Sequence, residues 1–397
     1  MDSIDWAPTG AETVPWSQKQ RRGTKADRML FQIHASVPPL IADLDYTLPR
    51  DLIRTAEEAL VAVAGMDAAA ADSPAEITRF MVRAESVASS KIERVIASTE
   101  DFARAFAGSK GNSSATSMVA GSQAIAIMIE AAGSRGTIEL ADLLTAHETL
   151  MRDDPDEGPY AGQVGTEQNW IGGSDHSPRG ALHIPPVPAR VDELLADLMT
   201  FANRDDVPVL AQAAIAHAQF ETIHPFGDGN GRIGRALVGA ILRRRGVMRN
   251  TIVPIASGLN ARRDEYFAAL TSYRAGLAAP LVGLMALATK VGGEEGRVSV
   301  ERIKQMPAEW RDALDVRADS SASKIMGALF SQPVMSLDDA MTVSNTSNTQ
   351  VYVAMTQLEE AGIVTEITGR KRDRVWAVSD LMAELDDLDA RIRDAML

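Results

Sequence analysis

Apolar residues return every three or four positions along most of this 397-residue chain, so helices dominate the expected fold. In "PPLIADLDYTLPRDLIRTAEEALVAVAGM", Leu52, Ile53, Ala56, Leu60 and Val63 mark one helical face. A second start follows at Ser73, with Pro74 and Glu76 supplying a cap, a first-turn proline and an acid. Ile77, Met81, Val87, Ile92 and Ile96 carry its apolar stripe. The same spacing predicts helices over 98–108, 114–133, 138–151, 190–203, 208–222 and 230–245, and one near 261–275. Residues 1–28 read as a loose or peripherally packed tail. The stretch 152–190 is rich in Gly, Pro and Asp, and predicts a functional insert with a hairpin near "QNWIGG". The sequence turns polar from 290 to 320, which predicts a boundary. Beyond it come three helices (321–331, 336–343, 347–361), two strands around the basic turn "GRKRDR", and an amphipathic helix over 379–395. Three helices and a hairpin form a winged-helix pattern.

Composition narrows this reading. Aromatic residues are 5% and hydrophobic residues 45%, which favours a cored, helix-rich protein. The formal net charge of −14 argues against general nucleic-acid or membrane-surface binding, while leaving room for a locally basic module. Cysteine is absent, so disulfides, zinc–thiolate sites and cysteine nucleophiles are excluded. The N-terminal residues show no signal-peptide pattern and no apolar run reads as membrane-spanning, so a cytoplasmic protein that binds no membrane is the expectation.

The densest chemistry lies in "ETIHPFGDGNGRIGRAL", residues 221–237. GNGRIG fits the glycine pattern of a dinucleotide-binding turn. That turn must follow a strand and precede a ribose-binding acid, whereas here a helix precedes it and "VPIAS" follows. No Gly-Lys-Ser/Thr follows either, so it is not a Walker-type loop. A phosphate cradle fits each residue type. Gly227, Gly229 and Gly231 let backbone amides approach one anion. The helix beginning near 230 adds its free amides and positive dipole end. Arg232 and Arg235 share a helix face and suit phosphate oxygens. Asn230 supplies a neutral donor, Asp228 suits a Mg²⁺ that phosphates also ligate, and His224 has the near-neutral pKa a general base needs.

HPFGDGNGRIGR resembles the Fic family motif HxFx(D/E)GNGRxxR at every defined position. The resemblance implies a mainly α fold: a Fic-type helical bundle with a small β-hairpin flap, plus a C-terminal winged-helix-like α/β domain. The expected organisation is a tail (1–28), a helical Fic N-terminal region (29–130), a catalytic core (131–290), a linker (291–318), the winged-helix-like domain (319–380) and a terminal helix (381–397). It further implies AMP transfer from ATP to a Ser, Thr or Tyr hydroxyl of a protein target, or of the chain itself. His224 would deprotonate the hydroxyl. Asp228 would hold Mg²⁺ (or Mn²⁺). Asn230 and the amides of Gly227, Gly229 and Gly231 would bind phosphates, with Arg232 and Arg235 on the β- and γ-phosphates. Phe226 would anchor the loop in the core.

Three further segments resemble family elements. "GQVGTEQNWIGG" resembles the flap that pairs with an extended target segment, with Ile171, Gly172 and Gly173 as its docking residues. Many relatives carry Arg where this chain has Gly165. "SSKIER" resembles the inhibitory motif (S/T)xxxE(G/N), which implies that Glu93, one turn after Ser89, pairs with Arg235 and blocks the γ-phosphate; the last position departs, with Arg94. "RRDEYFAAL" places Tyr266 where relatives put an adenine-lining aromatic, though core packing of a helix also accounts for it. The expected partners are ATP and a protein target, with a homodimer or DNA as further candidates. Helix 347–361 has no Lys or Arg, so partner docking is favoured over DNA for the C-terminal module. A DNA-binding regulator with a nucleotide-sensing core, or an enzyme that transfers another phosphate-containing group or removes AMP, stay as alternatives.

Overall fold

The computed structural model describes residues 5–18, 22–108, 111–370, 372 and 374–397. In chain order the elements are β1 (Gly10–Pro15), α1 (Lys25–Arg28), β2 (Gln32–Val37), α2 (Arg50–Ala69), α3 (Pro74–Ile92), α4 (Thr99–Phe106), α5 (Ser113–Arg135), α6 (Leu140–Met151), α7 (Pro188–Ala202), α8 (Val209–Ile223), α9 (Asn230–Arg244), α10 (Ile255–Ala261), α11 (Arg263–Arg274), α12 (Ala279–Ala313), α13 (Ser321–Leu329), β3 (Val334–Ser336), α14 (Leu337–Ser344), α15 (Asn348–Glu360), β4 (Val364–Glu366), β5 (Val375–Val378) and α16 (Ser379–Met396). The chain forms two compact units. One comprises Met1–Glu58, Gln123–Val247 and Arg262–Leu287; the other comprises Ala59–Ser122, Met248–Ala261 and Ala288–Leu397.

The first unit is built around α8, whose residues Leu210–Ile223 are all buried. α7, α9 and α11 pack on it. Of the two readings of the polar N-terminal residues, the described ones take the packed one. β1 pairs antiparallel with β2, Gly10 opposite Val37. Trp6 is buried among Tyr46, Phe201 and Tyr273, and its Nε1 donates to the Tyr273 hydroxyl at 3.1 Å. Asp5 accepts from the amides of Ala278 and Ala279 (2.7 and 3.0 Å), placing a carboxylate at the start of α12. Two short strands, one of them with no buried residue, carry too weak a period to read alone.

The second unit holds α3, α10, α16 and the C-terminal elements. There α13, α14 and α15 accompany an antiparallel sheet in the order β3-β5-β4. The turn between β4 and β5 includes Lys371 and Asp373, which lie outside the described residues. The linker expected over 291–318 is helix as far as Ala313. Its glycines serve close packing and not a linker: a Cβ on Gly293 would meet the Ala62 carbonyl carbon at 2.9 Å, and one on Gly296 the Met66 sulfur at 2.5 Å. α5 is long and apolar enough to cross a membrane by length and composition, contrary to the expectation that no segment is; half of its apolar window is buried inside the protein.

α3 ends in a tightly specified cap. Ser73 stands at its N-cap without the expected side-chain bond. At the other end, the Arg94 amide donates to Lys91 O and the Val95 amide to Ser90 O, both at 3.0 Å, the two bonds of a Schellman motif. The motif needs a left-handed residue after the cap, and Arg94 takes it with φ 61°. Ile96 falls beyond this turn and is exposed. A side chain with a Cβ costs on the order of 1 kcal/mol in that conformation. Arg94→Gly should therefore stabilise the second unit by about 1 kcal/mol, read as a raised urea midpoint with an unchanged slope.

Candidate active site

α8 ends at His224, which adopts a left-handed conformation (φ 50°, ψ 59°), its amide bonded to Phe220 O at 2.8 Å. A histidine held there is under backbone strain, as is common at functional sites. The conformation breaks the helix and turns the chain into the loop Pro225–Gly229. His224 is half buried, and its Nδ1 lies 3.8 Å from the Glu221 carboxylate one turn earlier.

Several side chains hold this loop. The Asn230 amide bridges the Phe226 backbone, with Oδ1 accepting from Phe226 N at 3.0 Å and Nδ2 donating to Phe226 O at 2.8 Å. The side chain expected to donate to phosphate is thus engaged in shaping the loop. Asn169 Nδ2 donates to His224 O and Phe226 O (3.2 and 2.9 Å), and Gly165 N donates to Pro225 O at 2.8 Å. Phe226 is fully buried, as expected, and stacks on His147 at 3.8 Å between centroids.

His147 was not among the expected residues. Its Nδ1 accepts from the Gly162 amide at 3.0 Å, so the proton resides on Nε2, which donates to Asp228 O at 3.1 Å. Burial, with a smaller contribution from Arg232, holds its pKa down to about 4. His147 is a neutral brace for the loop. A lone histidine in a helical apolar pattern carries no signal of this role.

The loop delivers its groups to the start of α9. Gly229 caps that helix with φ 79°, and a Cβ there would meet Leu150 at 3.1 Å, so glycine is required. The first-turn amides of Asn230, Gly231 and Arg232 follow, where a helix leaves donors without helical partners. Asp228 exposes its carboxylate at 61%, with Oδ1 accepting from Gly229 N at 2.6 Å and Oδ2 3.3 Å from Arg232 Nη2. Gly227 lies against Glu157: a Cβ would meet Glu157 Oε2 at 2.5 Å. Burial raises the Glu157 pKa, and Asp228, Asp154 and Asp156 add repulsion, so this side of the loop suits a cation. Among the described residues no cluster of three His or acidic side chains forms a complete metal site. One exposed carboxylate fits a Mg²⁺ whose other ligands come from phosphates and water.

Arg232 and Arg235 are both buried on α9. Arg235 Nη1 approaches the Tyr266 hydroxyl at 3.4 Å, and that hydroxyl sits 2.7 Å from His217 Nε2. Tyr266 is 1% exposed, so it does not present the adenine-facing surface that was one expectation; it buttresses Arg235. Gly234, an undefined position in the motif, sets the α8–α9 approach: a Cβ would meet His217 Nδ1 at 2.9 Å and Phe220 at 3.0 Å.

The flap at 171–183 is a hairpin with isolated bridges, Ile171 to His183 and Ser174 to Ser177. Gly172 and Gly173 are exposed with positive φ, and a Cβ on Gly173 would strike Arg179 O at 2.6 Å. His183 ties the flap to α8 through Thr222 O at 2.8 Å; burial holds its pKa down to about 3. The N-terminal segment joins in. Asp27 accepts from Ser177 Oγ at 2.8 Å and Gln18 Nε2 donates to His176 O at 2.6 Å. The bond from Thr24 and that from Ser177 hold the Asp27 carboxyl well below its usual range. The structure thus gathers His224, Asp228, Arg232, Arg235 and the glycines in the first unit. Ser89 is buried on α3 and Glu93 is exposed at its C-terminus, both in the second unit.

Residues 137–242 match the model of the Fic/DOC family. Protein adenylyltransferase fic-1 of Caenorhabditis briggsae is 32% identical over 153 residues, 38% of this chain and 27% of that protein. A probable protein adenylyltransferase, aq_aa38 of Aquifex aeolicus (strain VF5), is 41% identical over 70 residues, 17% of this chain and 22% of that protein. The chain thus spans about a quarter of the length of the curated relatives it matches. A Fic family protein from Desulfovibrio desulfuricans G20 shares the fold, with a TM-score of 0.53, 21% identity and coverage of 84% of this chain and 97% of that one.

Three buried histidines give the first unit a pH signature. Burial lowers His147 to about 4 and His183 and His217 to about 3, against 6.5 for a free side chain. Below 6.5 the unfolded chain takes up protons that the folded chain refuses, so stability falls as pH falls. The three together should remove about 4 kcal/mol between about pH 7 and pH 5.5. His147→Gln should reduce that change by about a third in urea unfolding at the two pH values.

Proposed function

We propose that this Fic/DOC family chain transfers AMP from ATP to a hydroxyl side chain of a protein target. The observation that carries the reading is the continuous device from His224 to Arg235: a strained histidine beside a carboxylate, a braced glycine loop, and a helix N-terminus followed by two buried arginines. The adenylyltransferase names of the relatives support the same reaction class.

Neutral His224 accepts the proton of the incoming Ser, Thr or Tyr hydroxyl as its oxygen attacks the α-phosphorus. The bond to the β-phosphate bridging oxygen breaks, pyrophosphate leaves, and the target keeps AMP in ester linkage. The first-turn amides of α9 and the guanidinium groups of Arg232 and Arg235 hold phosphate oxygens as charge moves toward the leaving group. Tyr266 and His217 keep Arg235 aimed. Asp228 would hold Mg²⁺, which supplies charge neutralisation between the phosphates when bound. The exposed backbone of Gly172 and Gly173 would pair with an extended target segment and orient its hydroxyl.

We read Ser89 and Glu93 as a restraint on this reaction, with the Glu93 carboxylate competing with the γ-phosphate for Arg235. The family resemblance of "SSKIER" supports it. Each test has a defined outcome. ATP labelled at the α-position should mark protein, and ATP labelled at the γ-position should not; γ-label alone would mean a kinase-like reaction. His224→Ala should lower the α-label by about a hundredfold or more. Glu93→Gly should raise it by about tenfold, the worth of one freed charge-assisted contact; equal labelling by the two proteins would remove the restraint from the proposal.

A further inference from the structure

Glu221 is a buried carboxylate to which the transfer step described above gives no task. It stands one turn before His224 on α8, and its Oε2 lies 3.8 Å from His224 Nδ1. α9 closes over its other oxygen, since a Cβ on Gly234 would meet Glu221 Oε1 at 3.0 Å. Burying a carboxylate is costly unless positive charge or donors offset it. Arg274 of α11 supplies part of that charge. Burial lowers the Arg274 pKa, and Glu221 and then Tyr266 oppose the shift, so guanidinium and carboxylate favour each other's charged forms.

His224 is the second partner. The other titratable and charged groups around this cluster are His217 on α8, His183 of the flap, Tyr266 of α11 and Arg235 of α9, which acts on His217. Burial holds His183 and His217 down to about 3, and Arg274 and His224 further disfavour charge on His183. Neither ring takes up a proton near neutral pH. The imidazole free to become a cation beside Glu221 is therefore His224.

A neutral imidazole carries its proton on one ring nitrogen and offers the other as the base. A carboxylate facing Nδ1 favours the proton there and leaves the Nε2 lone pair for the substrate. When Nε2 takes the hydroxyl proton, Nδ1 keeps its own, and the new positive charge forms 3.8 Å from Glu221. We propose, resting on the AMP-transfer reading, that Glu221 is a positioning residue for this base: it holds the proton on His224 Nδ1 and aims Nε2 at the incoming hydroxyl.

Two measurements test this. The first uses the wild-type chain labelled with nitrogen-15 histidine, with His224→Ala to assign the signals. Long-range proton–nitrogen spectra at about pH 8 should show neutral His224 with its proton on Nδ1. A proton on Nε2 overturns the proposal, and this readout needs no turnover. The second is the pH profile of transfer from α-labelled ATP. Glu221→Gln should lower kcat about tenfold, with KM for ATP within about twofold. It should also move the acid limb about one pH unit lower, because an imidazole without its carboxylate is harder to protonate. A merely structural loss lowers the rate and leaves the limb in place, so an unmoved limb overturns the proposal. Absence of α-label from the wild-type chain counts against AMP transfer instead, and the Nδ1 spectrum still decides the role of Glu221.

Discussion

The loop between α8 and α9 keeps its shape through one reciprocal interaction, the Asn230 amide closed on both backbone groups of Phe226. An amide that donates and accepts on one residue fixes the chain direction across a four-residue turn. It anchors Phe226 against His147, and His147 in turn holds the Asp228 carbonyl. The glycines between them can then stay glycines, since the flanking contacts specify the loop. Without this closure the loop would sample many conformations, and the start of α9 would face no defined position for an anion.

A second layer keeps the groups around this loop neutral or neutralised. His147, His183 and His217 are buried and held neutral, each with a ring nitrogen on a backbone carbonyl or a tyrosine hydroxyl. Such rings add donors and acceptors without adding positive charge, so the positive field at the loop comes from Arg232 and Arg235. His224 differs from them in place: it stands half buried at the end of α8.

The second unit joins the segment bearing Ser89 and Glu93 to the C-terminal elements. Arg104 donates to Ile367 O, and Ala103 shares an apolar core with Ile367, Val375 and Ala377. α4 therefore packs as part of the C-terminal module, although more than 200 residues separate them in the chain. Arg94 explains its own departure from the family pattern. The position demands a left-handed backbone, for which glycine and asparagine are the cheapest residues, and arginine is tolerated because the rest of the cap is fully bonded.

The sequence by itself determined the helices with a clear apolar period and the residues from His224 to Arg235, because both signals are local: a periodicity and an ordered set of functional groups. It also marked 152–190 as an insert with a hairpin near "QNWIGG", through its Gly, Pro and Asp. Only the tertiary structure decided what depends on distant partners. The hairpin β1–β2 exists because Gly10–Pro15 pairs with Gln32–Val37 across the intervening chain. Gly293 and Gly296 lie within a helix because α2 approaches too closely for a Cβ, where composition alone reads a linker. His147, Asn169 and Gly234 serve the site through contacts with residues that their own neighbourhoods do not reveal. Tyr266 turned from an adenine wall into a buttress because burial, which no local pattern encodes at a single position, places its hydroxyl between His217 and Arg235.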